Sequence, residues 1–402
     1  MFFKQNNLKK LKLFASCALI SLAITGCSNV FDSEKSVVTG NIDLIQKSKV
    51  SCKKEKHKKD HKKCSKCDKH HKDHGHKDKK KKKKGCELSA LFNVDDYIVS
   101  MNDKKSNKLY VYDKKDLRSS SLVKEDVYTT AYIKLLKQFK IKKIESSTRF
   151  KDWIIISSAF DRTTEPEYTR MVAIHKNELK HIKNNQKNTI KHADILGDLI
   201  TYEKIKKVLN EQGQKIDYFK IEGIAVIENP DLRVSSREKN ILVLGIREEG
   251  KSYKEGENSN STRMVGVGIY EEKGKLKLHD DWRLLYSHSY YDPQYGISDL
   301  QYDEEEKMLY VLLSSENNKV ESDGHKELSG TFARISISNL LSQREFDILD
   351  NQIFKKHKPE GLVKLDHKEW MIVADDDREN IGDSDDERKN SEAFYWHIRL
   401  RK

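Results

Sequence analysis

Short runs rich in Val, Ile, Tyr and Trp recur along the chain from residue 88 to its end. They include Tyr97–Met101, Lys108–Tyr112, Trp153–Ser157, Arg170–Ile174, Ile221–Ile227, Ile241–Ile246, Met264–Ile269, Met308–Leu313, Phe332–Ile337, Trp370–Val373 and Phe394–Leu400. Most are four to seven residues long and end in Gly, Asn, Asp or Lys clusters, the signature of strands separated by turns. Two stretches carry apolar residues at helical spacing instead, Thr130–Ile141 and Asp194–Gln212, the second with Gly213 as a stop. The strands fall into groups. Each opens on a short strand with an acidic residue, Glu145, Glu222, Asp299 or Glu360, followed by a hydrophobic strand and then one often led by Arg. A repeated antiparallel unit with few helices predicts a β-propeller, because radial repetition leaves few free edges; a β-sandwich is the alternative. The expected domain is mainly β, of six or seven blades with short helical insertions, over 88–402.

Three motifs carry a family resemblance. They are Ile221-Glu222-Gly223-Ile224-Ala225 with Leu242–Arg247, Gly296-Ile297-Ser298-Asp299-Leu300 with Leu309–Leu312, and Pro359-Glu360-Gly361-Leu362 with Met371–Asp375. In this order they resemble domain-of-unknown-function family 3616 and, more loosely, the esterase-like phytase propellers. The resemblance covers roughly 90–400 and implies a preceding blade at Glu145–Arg170.

In a propeller the innermost strands line the axis, so equivalent acidic residues point at one centre. Glu145, Glu222, Asp299 and Glu360 would supply four oxygens of a Ca²⁺ site, since hard cations take six to eight. Arg170 and Arg247 are candidate compensators or anion binders. The competing reading makes the carboxylates structural, tying neighbouring blades by hydrogen bonds. No G-x-S-x-G elbow, P-loop, H-E-x-x-H or dinucleotide fingerprint occurs. The acidic runs Asp375–Asp377 and Asp383–Glu387 read as solvated loops.

The N-terminus has a different character. Lys4, Lys9, Lys10 and Lys12 precede an apolar run from Leu13 to Ile24, the charged and apolar regions of a signal peptide. The run is shorter than the roughly 20 residues a membrane-spanning helix needs. Leu22-Ala23-Ile24-Thr25-Gly26-Cys27 resembles a bacterial lipobox. That implies removal of 1–26, acylation of Cys27 and, with Ser28 following, residence in the outer membrane.

Residues 27–87 are expected to be a disordered linker. Their segment 51–85 holds 17 Lys against 5 Asp and Glu, a net +12 out of a chain total of +13. Such a tract buries too little to offset its ordering entropy. Three readings stay open for it. Cys64, Cys67, His70, His71, His74 and His76 are soft and borderline donors for Zn²⁺, Ni²⁺ or Cu⁺. The lysines suit a spacer lying on anionic lipid or lipopolysaccharide phosphates. Cys52, Cys64, Cys67 and Cys86 are also free to form a disulfide loop. Residues 86–402 carry a net −3, which argues against a nucleic-acid-binding fold. Two functions follow as expectations: a lipid-anchored module that binds a protein or small ligand, or a metal-dependent phosphoester or ester hydrolase.

Overall fold

The computed structural model describes residues 38–39, 41–53 and 86–401, the last span without 103–107, 120–126, 129–130, 136–138, 181–187, 212, 214, 230–238, 253–255, 290–294, 321–325, 377–386 and 390. Among them, five antiparallel-based sheets form the five blades of a propeller. The inner strands are Leu88–Val94, Ile144–Phe150, Tyr218–Glu228, Tyr295–Asp303 and Pro359–Asp366. Each packs against the inner strand of the next blade, and the fifth returns against the first. The expectation of six or seven blades is therefore corrected to five. Long hairpin strands such as Asn240–Gly250 and Gly256–Glu272, and the helix Leu199–Asn210, lengthen each repeat, so fewer blades fit the chain.

Alternation of side chains gives every blade two apolar faces, and the buried residues sort into five clusters, one between each pair of neighbours. Ile154, Ile156 and Val172 of blade 2 meet Val99, Leu109 and Val111 of blade 1. On the opposite face, Ile155, Met171 and Ala173 meet Ile224, Leu242 and Leu244 of blade 3. Blade 5 uses Trp370 and Trp396 against Tyr310 and Phe332 of blade 4, and Val363 and Tyr395 against blade 1.

The ring is fastened by the strand Ile42–Ser51, which pairs antiparallel with Glu392–Leu400 and so completes blade 5 with a segment from the other end of the chain. Residues 42–51 therefore belong to the propeller and not to the linker expected over 27–87. Directly after this strand, Cys52 forms a disulfide with Cys86, Cα atoms 5.7 Å apart, at the start of blade 1. Of the three readings of the cysteines, pairing holds for these two. The metal-ligand candidates Cys64, Cys67, His70, His71, His74 and His76, and Cys27, lie outside the described residues.

Two helical expectations change. Within Thr130–Ile141, residues Ala131–Leu135 form a strand, paired with Lys108–Asp113. Asp194–Gly197 is the outer strand of blade 2, and the helix spans Leu199–Asn210. Its N-cap is Asp198, whose Oδ1 accepts the Ile200 and Thr201 N–H groups at 2.9 and 3.5 Å. Among the described residues no helix is long and apolar enough to cross a membrane.

A sealed carboxylate–ammonium cluster at the axis

Every inner strand carries a β-bulge near its start. The bulged residues are Ser89, Glu145, Glu222, Ser298 and Glu360, each skipped in the pairing with the second strand. A bulge leaves its extra residue unpaired and re-aims the side chain, here at five equivalent places around the ring. The expected set Glu145, Glu222 and Glu360 is thus brought together. Asp299 stands one place out of register, and Ser298 takes the equivalent position.

Three bulged glutamates follow a Lys-apolar-Glu triplet: Lys143-Ile144-Glu145, Lys220-Ile221-Glu222 and Lys358-Pro359-Glu360. Lys220 Nζ binds the Glu222 carboxylate and lies 3.8 Å from both Glu145 Oε1 and Glu248 Oε1. Lys143 Nζ sits 2.7 Å from Asp161 Oδ2 and 3.6 Å from Glu145 Oε1. Lys358 Nζ is 2.8 Å from Glu360 Oε1. Arg247 is buried at 2% exposure, with Nε 3.5 Å from Glu222 Oε2, while Nη1 donates to the Gly296 and Ser314 carbonyls. Gly296 makes room for it, since a Cβ there would run into the Arg247 carbonyl and lie 2.8 Å from its Cδ.

Asp299 does different work. Its two oxygens accept the N–H groups of Leu300 (2.8 Å) and of Leu362 (2.7 Å), which ties blade 4 to blade 5. Asp376 plays a similar part inside blade 5, accepting the Lys358 N–H at 2.9 Å and lying 2.7 Å from His357 Nδ1. The run Asp375–Asp377 is therefore not simply solvated: Asp375 and Asp376 are buried.

The charges set one another's protonation. Burial pushes Glu222 up, but Lys220, Arg247 and Lys358 outweigh it and hold the carboxyl at about 2. Glu145 and Glu360 stay well above the usual carboxylate range, first through desolvation; Lys220 and Lys143 oppose this at Glu145 and Lys358 at Glu360, while Glu222 raises both. Asp299 is also raised by desolvation, against the two N–H bonds it accepts, with Glu222 and Glu360 adding to the rise. Burial disfavours the Lys220 ammonium, yet Glu222, Glu145 and Glu248 hold it well above its usual range.

Neighbouring carboxyls pushed in opposite directions are an arrangement that acid–base catalysts use. Here Glu145, Glu222, Asp299 and Glu360 are only 1–4% exposed, so no reactant reaches them in this conformation. The donor set does not fit a resident Ca²⁺ either. Ammonium and guanidinium groups occupy the positions a cation would take, and among the described residues no three His, Cys, Asp or Glu side chains converge as metal ligands.

Arg247 is a buried partner of Glu222, in keeping with the compensator of its two readings. Arg170 precedes the strand Met171–His175, its backbone N–H on Ser158 Oγ at 2.9 Å, and no ion pair joins it to the axial carboxylates among the described residues. The sequence reading missed the lysines and Asp161. The repeated Lys two places before the acid was the available signal, since alternate residues of a strand share a face.

No protein-family model and no characterised protein matches the sequence. Some solved structures align with the chain at low identity and low TM-score. The PQQ-bound aldose sugar dehydrogenase from Streptomyces coelicolor is 11% identical, covering 79% of this chain and 95% of that one with a TM-score of 0.37. A thermostable family-43 glycoside hydrolase is 9% identical, covering 79% and 93% with a TM-score of 0.35. A luciferin-regenerating enzyme is 8% identical, covering 79% and 92% with a TM-score of 0.36.

Proposed function

We propose that this chain is a bacterial envelope lipoprotein, acylated at Cys27 after loss of residues 1–26 and held at the outer membrane, whose propeller is a binding and scaffolding module and not a hydrolase. The observation that carries the non-enzymatic part is the axial cluster. Its carboxylates are sealed and answered by Lys143, Lys220, Lys358 and Arg247, so the residues that most resemble a catalytic set are committed to holding blades together. The Lys-rich segment 53–85, which leaves and re-enters the propeller at the Cys52–Cys86 pair, offers its charges to anionic lipid or lipopolysaccharide. Because Cys52 and Cys86 are paired, its soft-metal donors reduce to Cys64, Cys67 and the histidines, a set suited to Zn²⁺, Ni²⁺ or Cu⁺ at modest affinity.

Two measurements test the reading. Palmitate labelling in a bacterial host should mark the wild type and not Cys27→Ser; equal labelling removes the anchor. Generic phosphoester and ester substrates, with and without Ca²⁺, should give no turnover. Ca²⁺-dependent turnover abolished by Glu222→Gln would replace the module with a metal-dependent hydrolase.

A further inference from the structure

Five large hydrophobic residues among the described ones are exposed, and three stand within six positions: Ile195 at 53%, Leu199 at 42% and Ile200 at 65%. Ile195 lies on the outer strand of blade 2, and Leu199 and Ile200 form the first turn of the helix Leu199–Asn210. Their exposure is built in. Asp198 and Thr201 form a reciprocal capping box that fixes this turn, while Tyr202, Ile205, Val208 and Leu209 anchor the opposite face of the helix in the core. Beside Ile195 runs a groove of about 320 Å³ with a mixed lining, apolar at Leu196, Leu276 and Trp282 and polar at Thr201, Lys204 and His279.

The geometry points to this rim as a surface that dips into the apolar layer of a lipid bilayer. The occupant follows from size, charge and tether. The three side chains expose on the order of 300 Å², the lower end of functional apolar patches, whereas a stable protein complex buries about 800 Å² on each partner. The nearby cations are already matched, Lys204 with Asp280 at 2.7 Å, Lys206 with Asp217 at 3.1 Å and Lys277 with Glu272 at 2.6 Å. Insertion, not charge, therefore drives contact. On the lipoprotein reading, on which this inference rests, the chain from Cys27 to the strand Val38–Thr39, which pairs with Ile42–Asp43, reaches at most about 40 Å. That tether keeps the rim at a high local concentration beside the bilayer, where a weak apolar contact suffices.

The test uses the acylated chain in phosphatidylcholine vesicles carrying brominated acyl chains, in 0.5 M salt to silence the Lys tract (about a 4–5 Å screening length). Trp282 is the reporter, since Trp153, Trp370 and Trp396 are buried. Bromine quenching should be at least twofold stronger in the wild type than in Ile195→Asp/Ile200→Asp, with both melting alike. Equal quenching, or none in the wild type, overturns the inference. So does a variant that loses only self-association in sedimentation, which makes the rim a contact between two copies. A chain beginning at Ser28 keeps every blade and the closing strand. If it floats with the vesicles and is quenched while palmitate labelling fails, the inference stands and the anchor falls.

Discussion

Replacing Glu222 by Gln keeps the shape of the side chain and deletes one charge from the axial cluster. A carboxyl held at about 2, against the ordinary 4.5, carries about 3 kcal/mol of stability at neutral pH. Its folded value is depressed, so the contribution is complete above the ordinary pKa and fades as pH falls toward 2. At pH 3 it amounts to about 1 kcal/mol. Glu145, Asp299 and Glu360 pull the other way. Held above their ordinary values chiefly by burial, they favour the folded state at low pH and lose that contribution as pH rises through their folded values. All three feel Glu222, so removing it relieves part of their penalty and trims the net loss at pH 7 to about 2–3 kcal/mol. In urea unfolding followed by circular dichroism, Glu222→Gln should lower stability by that amount at pH 7 and by clearly less at pH 3. Added Ca²⁺ should stabilise neither protein, because Lys143, Lys220, Lys358 and Arg247 already face the carboxylates. A loss below about 1 kcal/mol at pH 7, a loss equal at both pH values, or wild-type stabilisation by Ca²⁺ would refute the ion-pair account.

Two further perturbations probe the frame around the cluster. Reducing Cys52–Cys86, which are 34 positions apart, should cost about 3–4 kcal/mol, seen as a lower melting temperature in reductant that Cys52→Ser/Cys86→Ser reproduces without it. Gly296→Ala forces a methyl into the Arg247 backbone and should destabilise by about 1–3 kcal/mol, read as a lower melting temperature.

The strands were legible because propeller strands bury both faces and so read as dense aliphatic runs, as in Trp153–Ser158 and Asn240–Gly250. Other features depend on partners that local pattern does not reveal. Blade 1 opens on Ser89 where blades 2, 3 and 5 carry Glu, and so it lacked the acidic marker. The segment Ile42–Ser51 mixes buried and half-exposed positions, and its partner lies at the far end of the chain. Ala131–Leu135 has apolar residues at helical intervals, yet pairing with Lys108–Asp113 on one side and Asn188–Ile190 on the other makes it a strand. At the site, the convergence of Glu145, Glu222 and Glu360 followed from symmetry. The exception was Asp299, where the bulge at Ser298 shifts the register by one.

The fastening of blade 5 gives folding a fixed order. Ile42 pairs with Leu400, and Arg401 reaches across 358 positions to Asp43. A ribosome delivers the closing strand first and its partner last. Until residues 392–400 emerge, the strand at 42–51 keeps an open edge, the kind that recruits other chains, and the late, long-range pairing makes assembly slow. A chain cut short by its final nine-residue strand would not be a propeller with one blade trimmed; it would be a ring that never shuts.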